Sequence, residues 1–113
     1  MQITASTDGQ TVISTFEMTP GTCSDVLDAL QDAYEKVIRF QPGFMGGAIH
    51  VNDAQTRVAT YSRWRARTDF QAMLRTPEMR ERNREIAKLC ARFEPVLYDV
   101  AAVISPGAPG EAP

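Results

Sequence analysis

The chain has 113 residues, 43% of them apolar, and its 14 acidic and 12 basic side chains leave a formal net charge of −2. This length suits one domain, and the ordinary apolar content argues against wholesale disorder or a fibrous repeat. The N-terminal residues include neither a basic leader nor a long apolar segment, and no apolar run reaches the roughly 20 residues that cross a bilayer. We therefore expect a soluble, cytoplasmic protein without a membrane partner.

The cysteines and arginines argue against two further classes of protein. Cys23 and Cys90 are far apart and lack CxxC spacing, so we expect two free thiols and no metal site. Most of the arginines lie between Arg57 and Arg84, but acidic residues are interleaved with them. This pattern is typical of a solvated, salt-bridged surface, and we expect no nucleic-acid partner.

The first half of the chain predicts a strand, a helix and a second strand. Residues 10–18 are rich in β-branched and aromatic side chains, and their even-numbered members share one face. Residues 22–40 place apolar side chains at three- and four-residue steps, which predicts an amphipathic helix ended by Pro42-Gly43. Residues 44–52 predict the second strand, whose even-numbered side chains, from Phe44 through His50, would share one face.

The second half predicts a strand, a divided helix and a last strand. Residues 57–65 alternate, with the even-numbered side chains up to Trp64 on one face, and a short turn joins them to the preceding strand as a hairpin. A short helix from about residue 68 to 75 is followed by a second, which Thr76 caps and Pro77 begins. The final strand is predicted at residues 94–104.

This β-α-β-β-α-β order predicts an α+β, ferredoxin-like fold, with a four-stranded antiparallel sheet and both helices on one face. The uncovered face would be apolar enough to need a cover, so we expect a sheet-to-sheet homodimer. The side chains predicted to line that face are Ala59, Tyr61, Leu97, Ala101 and Val103.

The predicted organisation has three parts. A flexible N-terminal segment spans residues 1–9, and the folded domain spans residues 10–104. Residues 105–113 are rich in proline and glycine and have almost nothing to bury, so we expect a disordered tail.

Short motifs recur at intervals along the predicted domain: Pro42-Gly43-Phe44, His50, Tyr61-Ser62-Arg63-Trp64, Asp69-Phe70 and Thr76-Pro77. Together they resemble the antibiotic biosynthesis monooxygenase family, over about residues 12–103. The resemblance implies a dimeric α+β barrel. It further implies that an aromatic substrate, such as an anthrone, quinol or polyketide-like molecule, is oxidised by O2 without a metal, flavin or other cofactor.

The resemblance also implies site residues. Trp64 corresponds to a tryptophan at the end of the third strand that lines the pocket in anthrone oxygenases, and His50 corresponds to a histidine of the second strand. Those enzymes have a pocket arginine on the last helix, for which Arg82 is the nearest candidate, with Asn83 or Arg84 as alternatives under a small shift.

Two positions depart from family patterns. The anthrone oxygenases have asparagine four residues before the tryptophan, and this chain has Thr60, which can still donate one hydrogen bond. The haem-degrading branch has histidine ten residues after the tryptophan, where this chain has Leu74. The resemblance is therefore to the oxygenases rather than to the haem-degrading enzymes.

The expected chemistry dictates the side chains that a site would need. Triplet oxygen reacts slowly with closed-shell molecules, so a protein without a cofactor must form and stabilise a substrate anion and exclude water. Histidine titrates near neutrality, so His50 is the predicted proton-transfer group. Arg82 would stabilise a phenolate or peroxide, and Trp64 and Thr60 complete the predicted catalytic set. The predicted substrate-binding residues are Tyr34, Phe16, Phe44 and Ser62.

Two other functions remain open from the residues alone. One is a non-oxidative cyclase or isomerase, and the other is a non-catalytic dimer that binds a small hydrophobic ligand. The oxygenase hypothesis depends on one geometrical premise, which is that the rings of Trp64 and His50 project into a shared hollow beneath the helices.

Overall fold

The computed structural model describes residues 9–110, which form a four-stranded antiparallel sheet with the helices packed on one face. The sheet order is β2-β3-β1-β4, so the predicted ferredoxin-like α+β fold is confirmed. A short 3-10 helix, Ile38–Phe40, follows the first α-helix. The elements in chain order are β1 (Gln10–Glu17), α1 (Pro20–Lys36), β2 (Phe44–Val51), β3 (Arg57–Trp64), α2 (Arg67–Arg75), α3 (Pro77–Leu89) and β4 (Arg92–Tyr98).

Proline begins two of the helices. Pro20 starts α1, and Pro77 starts α3 after Thr76, whose Oγ1 accepts a hydrogen bond of 3.3 Å from the Met79 N–H. Proline suits this position because its fixed φ angle matches the helix and its missing N–H would have no partner there. The predicted cap at Thr76 is confirmed.

The helices bury two apolar clusters against the sheet. One cluster surrounds Trp64 and the other surrounds Phe16, and both residues are almost inaccessible to solvent. Cys23 is buried in the second cluster, and both cysteines are free thiols. The other buried members of the first cluster are Val12, Ala33, Val37, Ile38, Phe70, Met73 and Met79. Those of the second are Met18, Cys23, Val26, Leu30, Val58 and Ile86.

A β-bulge near the start of β2 changes which side chains share a face. Phe44 is opposite Trp64, and Gly46 is opposite Arg63, so Met45 is an extra residue in β2. Gly46 adopts a φ of 145°, which is accessible mainly to glycine. Because one residue is inserted, the alternation is inverted after the bulge, and His50 no longer shares a face with Phe44.

The last strand is shorter than predicted. It ends at Tyr98, whose carbonyl oxygen accepts a 2.9 Å hydrogen bond from Gln10 Nε2, and residues 99–110 have no regular sheet or helix. In the described part of the chain β1 begins at Gln10, so it offers β4 a hydrogen-bonding partner only up to that end. The prediction of a strand to residue 104 is therefore wrong.

The uncovered face of the sheet differs in composition from the prediction. Ala59 and Tyr61 lie on it, but Leu97 is opposite Val12 and packs against the Trp64 cluster on the helix side. Ala101 and Val103 lie beyond the sheet. The observed apolar row crosses all four strands and consists of neighbouring, half-buried residues: Ala48, Tyr61, Ile13 and Val96.

The predicted flexible N-terminal segment and the predicted disordered tail lie at the two ends of the chain. Apart from Gly9, the predicted N-terminal segment lies outside the described residues, as do residues 111–113 of the predicted tail. Residues 105–110 are exposed and irregular, and their disorder stays a prediction. None of the helices between residues 9 and 110 is both long and apolar enough to span a bilayer.

Candidate active site

A small cavity lies on the helix side of the sheet, between the two apolar clusters. Its free volume is about 40 Å³. Most of its wall is apolar, with side chains from all three α-helices and from β1 and β4. Five polar side chains interrupt this apolar lining: Ser14, Tyr34, Thr60, Ser62 and Asn83.

A hydrogen bond connects Trp64 with one of these polar side chains, and two others lie beside it. The indole Nε1–H of Trp64 donates to Ser62 Oγ at 3.0 Å. The Tyr34 side chain reaches in from α1, and the neighbouring Thr60 and Ser62 side chains lower the pKa of its phenol. Because Ser62 already accepts from the indole, its own O–H is available to donate towards Tyr34 or a ligand. We call Tyr34, Thr60, Ser62 and Trp64 the polar network.

Trp64 lies behind the side chains that line the cavity and contacts the network from there. Its side chain is 0% exposed and does not line the free space itself. The ring is packed edge-on between Phe44, at a centroid distance of 5.3 Å, and Phe70, at 5.8 Å. Trp64 was predicted to line the pocket, but it does not contact the free space of the cavity. Its N–H instead donates to Ser62, which does line the cavity.

Among the described residues that line the cavity, Tyr34 is the one with a titratable side chain. Burial raises the pKa of its phenol above the ordinary value of 10.0, and the neighbouring Thr60 and Ser62 side chains oppose that shift in part. The phenol is therefore protonated at neutral pH and can donate a hydrogen bond. Gly47 makes room for the ring, since a Cβ atom there would lie 3.1 Å from Tyr34 Cε1.

His50 does not reach the cavity. It is opposite Ala59 in the β2–β3 ladder, on the uncovered face, whereas Trp64 points to the helix side, and the His50 side chain is exposed. The prediction that the His50 and Trp64 rings share a hollow beneath the helices is wrong, and the physical reason is the bulge at Met45. A proton-transfer role for His50 inside this cavity is excluded by that placement.

Arg82 also lies outside the cavity. Its Nη1 contacts Asp32 Oδ2 at 2.6 Å and links α3 to α1, and Asp32 also pairs with Lys36. Hydrogen bonds from Arg82 and Lys36 hold the pKa of Asp32 below its ordinary value. The predicted anion-stabilising role in the cavity is therefore wrong for Arg82. The neighbouring Asn83 lines the cavity instead.

The remaining predicted residues divide into lining and supporting side chains. Phe16 lines the cavity, as do Tyr34, Thr60 and Ser62. Phe44 instead supports the network, with its ring between those of Tyr34 and Trp64. Sequence reasoning missed Ser14, although a serine that alternates with core residues on β1 is a detectable signal.

Three surface clefts share described side chains with the cavity. One, of about 200 Å³, contains Arg82 and shares only the apolar Ile86, whereas the other two share polar side chains. The α1-side cleft, of about 310 Å³, shares Tyr34 with the cavity, and the α3-side cleft, of about 410 Å³, shares Leu74, Asn83 and Phe93. A ligand of aromatic size needs more than the cavity's own free volume, since even benzene occupies an apolar cavity of about 150 Å³. Binding therefore requires the shared side chains to move.

Residues 10–85 match the protein-family model for antibiotic biosynthesis monooxygenase. The chain belongs to the antibiotic biosynthesis monooxygenase family. The resemblance predicted from the motifs is confirmed, and so is the enzyme class at the level of a monooxygenase family. A curated relative, the tetracenomycin-F1 monooxygenase of Streptomyces glaucescens, is 28% identical over 98 residues, which cover 87% of each chain.

Solved structures of family members share this fold. The monooxygenase from the gene ActVA-Orf6 of Streptomyces coelicolor, in complex with nanaomycin D, has a TM-score of 0.77 at 20% identity, with 88% of this chain and 94% of that chain covered. SnoaB of Streptomyces nogalater, a cofactor-independent oxygenase, has a TM-score of 0.64 at 17% identity, with 92% and 99% covered. At these identities the similarity concerns the fold.

The site as a whole is an apolar hollow with converging hydroxyl and amide donors. Once the side chains shared with the clefts move, such an arrangement can hold an aromatic ring, stabilise an oxyanion on it and exclude water. Between residues 9 and 110, no three histidine, cysteine, aspartate or glutamate side chains are grouped closely enough to hold a metal ion.

Proposed function

We propose that the chain is a cofactor-independent monooxygenase that oxidises an aromatic substrate of the anthrone or quinol type with O2 in the helix-side cavity. The observation that carries this proposal is the polar network, which presents hydroxyl donors inside an otherwise apolar wall. Family membership supports the oxygenase class, and the names of the relatives support an aromatic polyketide as substrate.

In this mechanism the substrate supplies the electrons. An anthrone loses a proton to water and forms an anion whose charge lies largely on its oxygen, and the donors of Tyr34 and Ser62 stabilise that oxyanion. The anion transfers one electron to O2, and the resulting radical pair combines to a peroxide. Loss of water from the peroxide converts the CH2 group to C=O, so that one oxygen atom enters the product and the other leaves as water.

The cavity wall stabilises the substrate anion rather than providing a base. Tyr34 is a proton donor at neutral pH because burial raises its pKa, and His50 faces away from the cavity. The substrate therefore has to be acidic enough to ionise once the donors of the wall stabilise its anion. Anthrones and quinols meet this condition, whereas simple aromatic hydrocarbons do not.

The pH dependence of turnover should be set by the pKa of the bound substrate. We expect the rate to rise as pH increases through the pKa of the bound substrate, and to fall only in strongly alkaline solution, where Tyr34 ionises and stops donating. Two anthrones of different acidity should give inflections displaced in the same direction as their pKa values. Steady-state rates measured across pH, for the wild type and His50→Ala, test this expectation. One common inflection near neutrality that disappears in His50→Ala would contradict it.

The oxygenase function is tested by isotope incorporation. Metal-free and flavin-free protein, incubated with an anthrone and ¹⁸O₂, should consume O2 and yield a quinone that contains one labelled oxygen atom. Heat-denatured protein is the control for spontaneous oxidation of the substrate. Conversion of the substrate without label would indicate a cyclase or isomerase, and binding without any product would indicate a non-catalytic ligand-binding protein.

We further propose that the chain forms a homodimer through the uncovered sheet face. The row of Ala48, Tyr61, Ile13 and Val96 crosses the sheet without an intervening charge. Water would otherwise cover this row, and a second copy of the same face can bury it with twofold symmetry.

A charge in this row should separate the subunits. In Tyr61→Glu, the twofold axis would bring two carboxylates into an apolar interface, so we expect monomers where the wild type is a dimer. Light scattering coupled to size-exclusion chromatography measures the mass, with Thr68→Glu on exposed surface as the control. A monomeric wild type, or a Tyr61→Glu protein that stays dimeric, would contradict the proposal.

A further inference from the structure

The α1-side and α3-side clefts differ in charge. The α1-side cleft contains Glu35, to which Gln31 donates a hydrogen bond of 3.0 Å, and no basic side chain of residues 9–110 lines it. The α3-side cleft contains Arg80 and Arg84, and no acidic side chain of the same residues lines it. An anionic group is therefore favoured at the α3-side cleft and disfavoured at the α1-side cleft.

The two arginines of the α3-side cleft are not equivalent. Arg84 is already paired with Glu81, with 2.6 Å between Nη2 and Oε2. Arg80 is exposed and makes no ion pair or side-chain hydrogen bond with any residue that the structure describes. Its guanidinium is therefore available to a ligand, and guanidinium matches the geometry of a carboxylate.

The α3-side cleft is continuous with the cavity wall. Leu74, Asn83 and Phe93 belong to both, and the Phe93 ring packs against Phe16 of the cavity at a centroid distance of 4.7 Å. The Asn83 amide makes no hydrogen bond within the described residues, so it can bind a polar group at the junction. A flat molecule could thus place a ring in the cavity and a substituent beside Arg80.

We propose that the α3-side cleft binds a carboxylate substituent of the aromatic substrate, with Arg80 as its cationic partner. This inference rests on the proposed function for the placement of the ring, and it narrows the substrate class to aromatic carboxylic acids. Arg80 acts in binding and specificity, since it lies outside the cavity where the chemistry takes place. Asn83 contacts the part of the ligand between the ring and the carboxylate.

Binding of inert analogues tests the proposal without turnover. Anthraquinone-2-carboxylate and anthraquinone-2-carboxamide have the same ring system, differ in charge and have no CH2 group to oxidise. Isothermal titration calorimetry at low salt should show about fivefold tighter binding of the carboxylate, the range expected for a partly exposed ion pair. This preference should shrink in about 0.5 M salt, because salt screens exposed charges.

Matched variants assign the preference to one side chain. Arg80→Gln should bind the two analogues equally, through loss of affinity for the carboxylate and unchanged affinity for the carboxamide. Arg67→Gln removes the same charge from an exposed arginine outside the cleft and should keep the preference. Both positions are exposed, so neither variant should affect folding.

The outcomes separate this proposal from the proposed function. Equal binding of both analogues by the wild type, no binding of either, or a preference that persists in Arg80→Gln would overturn the carboxylate site. A preference that depends on Arg80, together with no O2 consumption on any anthrone, would support the carboxylate site and overturn the oxygenase function.

Discussion

Ser62→Ala should lower the turnover number on an anthrone by about 100-fold, the effect expected when one donor to an oxyanion is removed. Ser62 accepts the Trp64 N–H and directs its own hydroxyl into the network that includes Tyr34. Alanine removes that donor and also leaves the buried indole N–H without an acceptor, which costs about 1–3 kcal/mol of stability. Activity should therefore fall much more than the remaining folded fraction.

The matched control for this prediction is Ser14→Ala. Ser14 lines the same cavity on β1, opposite Thr60, and is not a member of the polar network. We expect its replacement to change turnover by less than about threefold, the size of an effect without loss of a stabilising hydrogen bond. Rates of O2 consumption, with circular dichroism to verify folding, provide the measurement. Equal losses in both variants would show that the network does not stabilise the reacting anion.

Trp64→Ala should lower the free energy of unfolding by about 3–5 kcal/mol, the range for truncation of a large buried aromatic side chain. The indole is inaccessible to solvent and packs edge-on against Phe44 and Phe70, so the surrounding groups would face an empty space. Trp64→Phe retains most of the packing and loses the N–H bond to Ser62. It should therefore lose less stability than Trp64→Ala.

Urea unfolding followed by circular dichroism measures these differences, because the variants lack the chain's single tryptophan as a fluorescence probe. Arg67→Gln on α2 is the surface control, and its stability should change by no more than about 0.5 kcal/mol. If Trp64→Ala were as stable as Arg67→Gln, the indole would not be part of the core. If Trp64→Phe kept full turnover, the indole N–H would have no role in orienting Ser62.

The faces of β3 were predictable from the sequence, but those of β2 were not. Strict alternation placed Thr60, Ser62 and Trp64 on one face, and the structure confirms this because β3 is a regular strand between two neighbours. The same rule failed for His50, since one extra residue at Met45 inverts the alternation. A bulge of one residue depends on how two strands align, and the Gly46-Gly47 pair is only a weak local signal of it.

The helix α3 shows a second limit of pattern reading. Its apolar positions, Met79 and Ile86, fixed the buried side, and Arg82 and Asn83 both lay at the margin of that stripe. The choice between them was decided by α1, where Asp32 binds Arg82 and holds it outside the cavity. This contact joins residues far apart in the chain, so no local pattern could reveal it.

By itself, the sequence determined the order of the elements, the fold and the family, because these follow from local periodicity, capping residues and short motifs. Only the tertiary structure decided which side chains meet. It brought Tyr34 of α1 beside Ser62 of β3, moved His50 to the opposite face and left Arg80 beside the cavity without an ion pair to any of residues 9–110. The physical reason is that a site is made of contacts between distant segments, whose register and rotation are set by packing and by a single inserted residue.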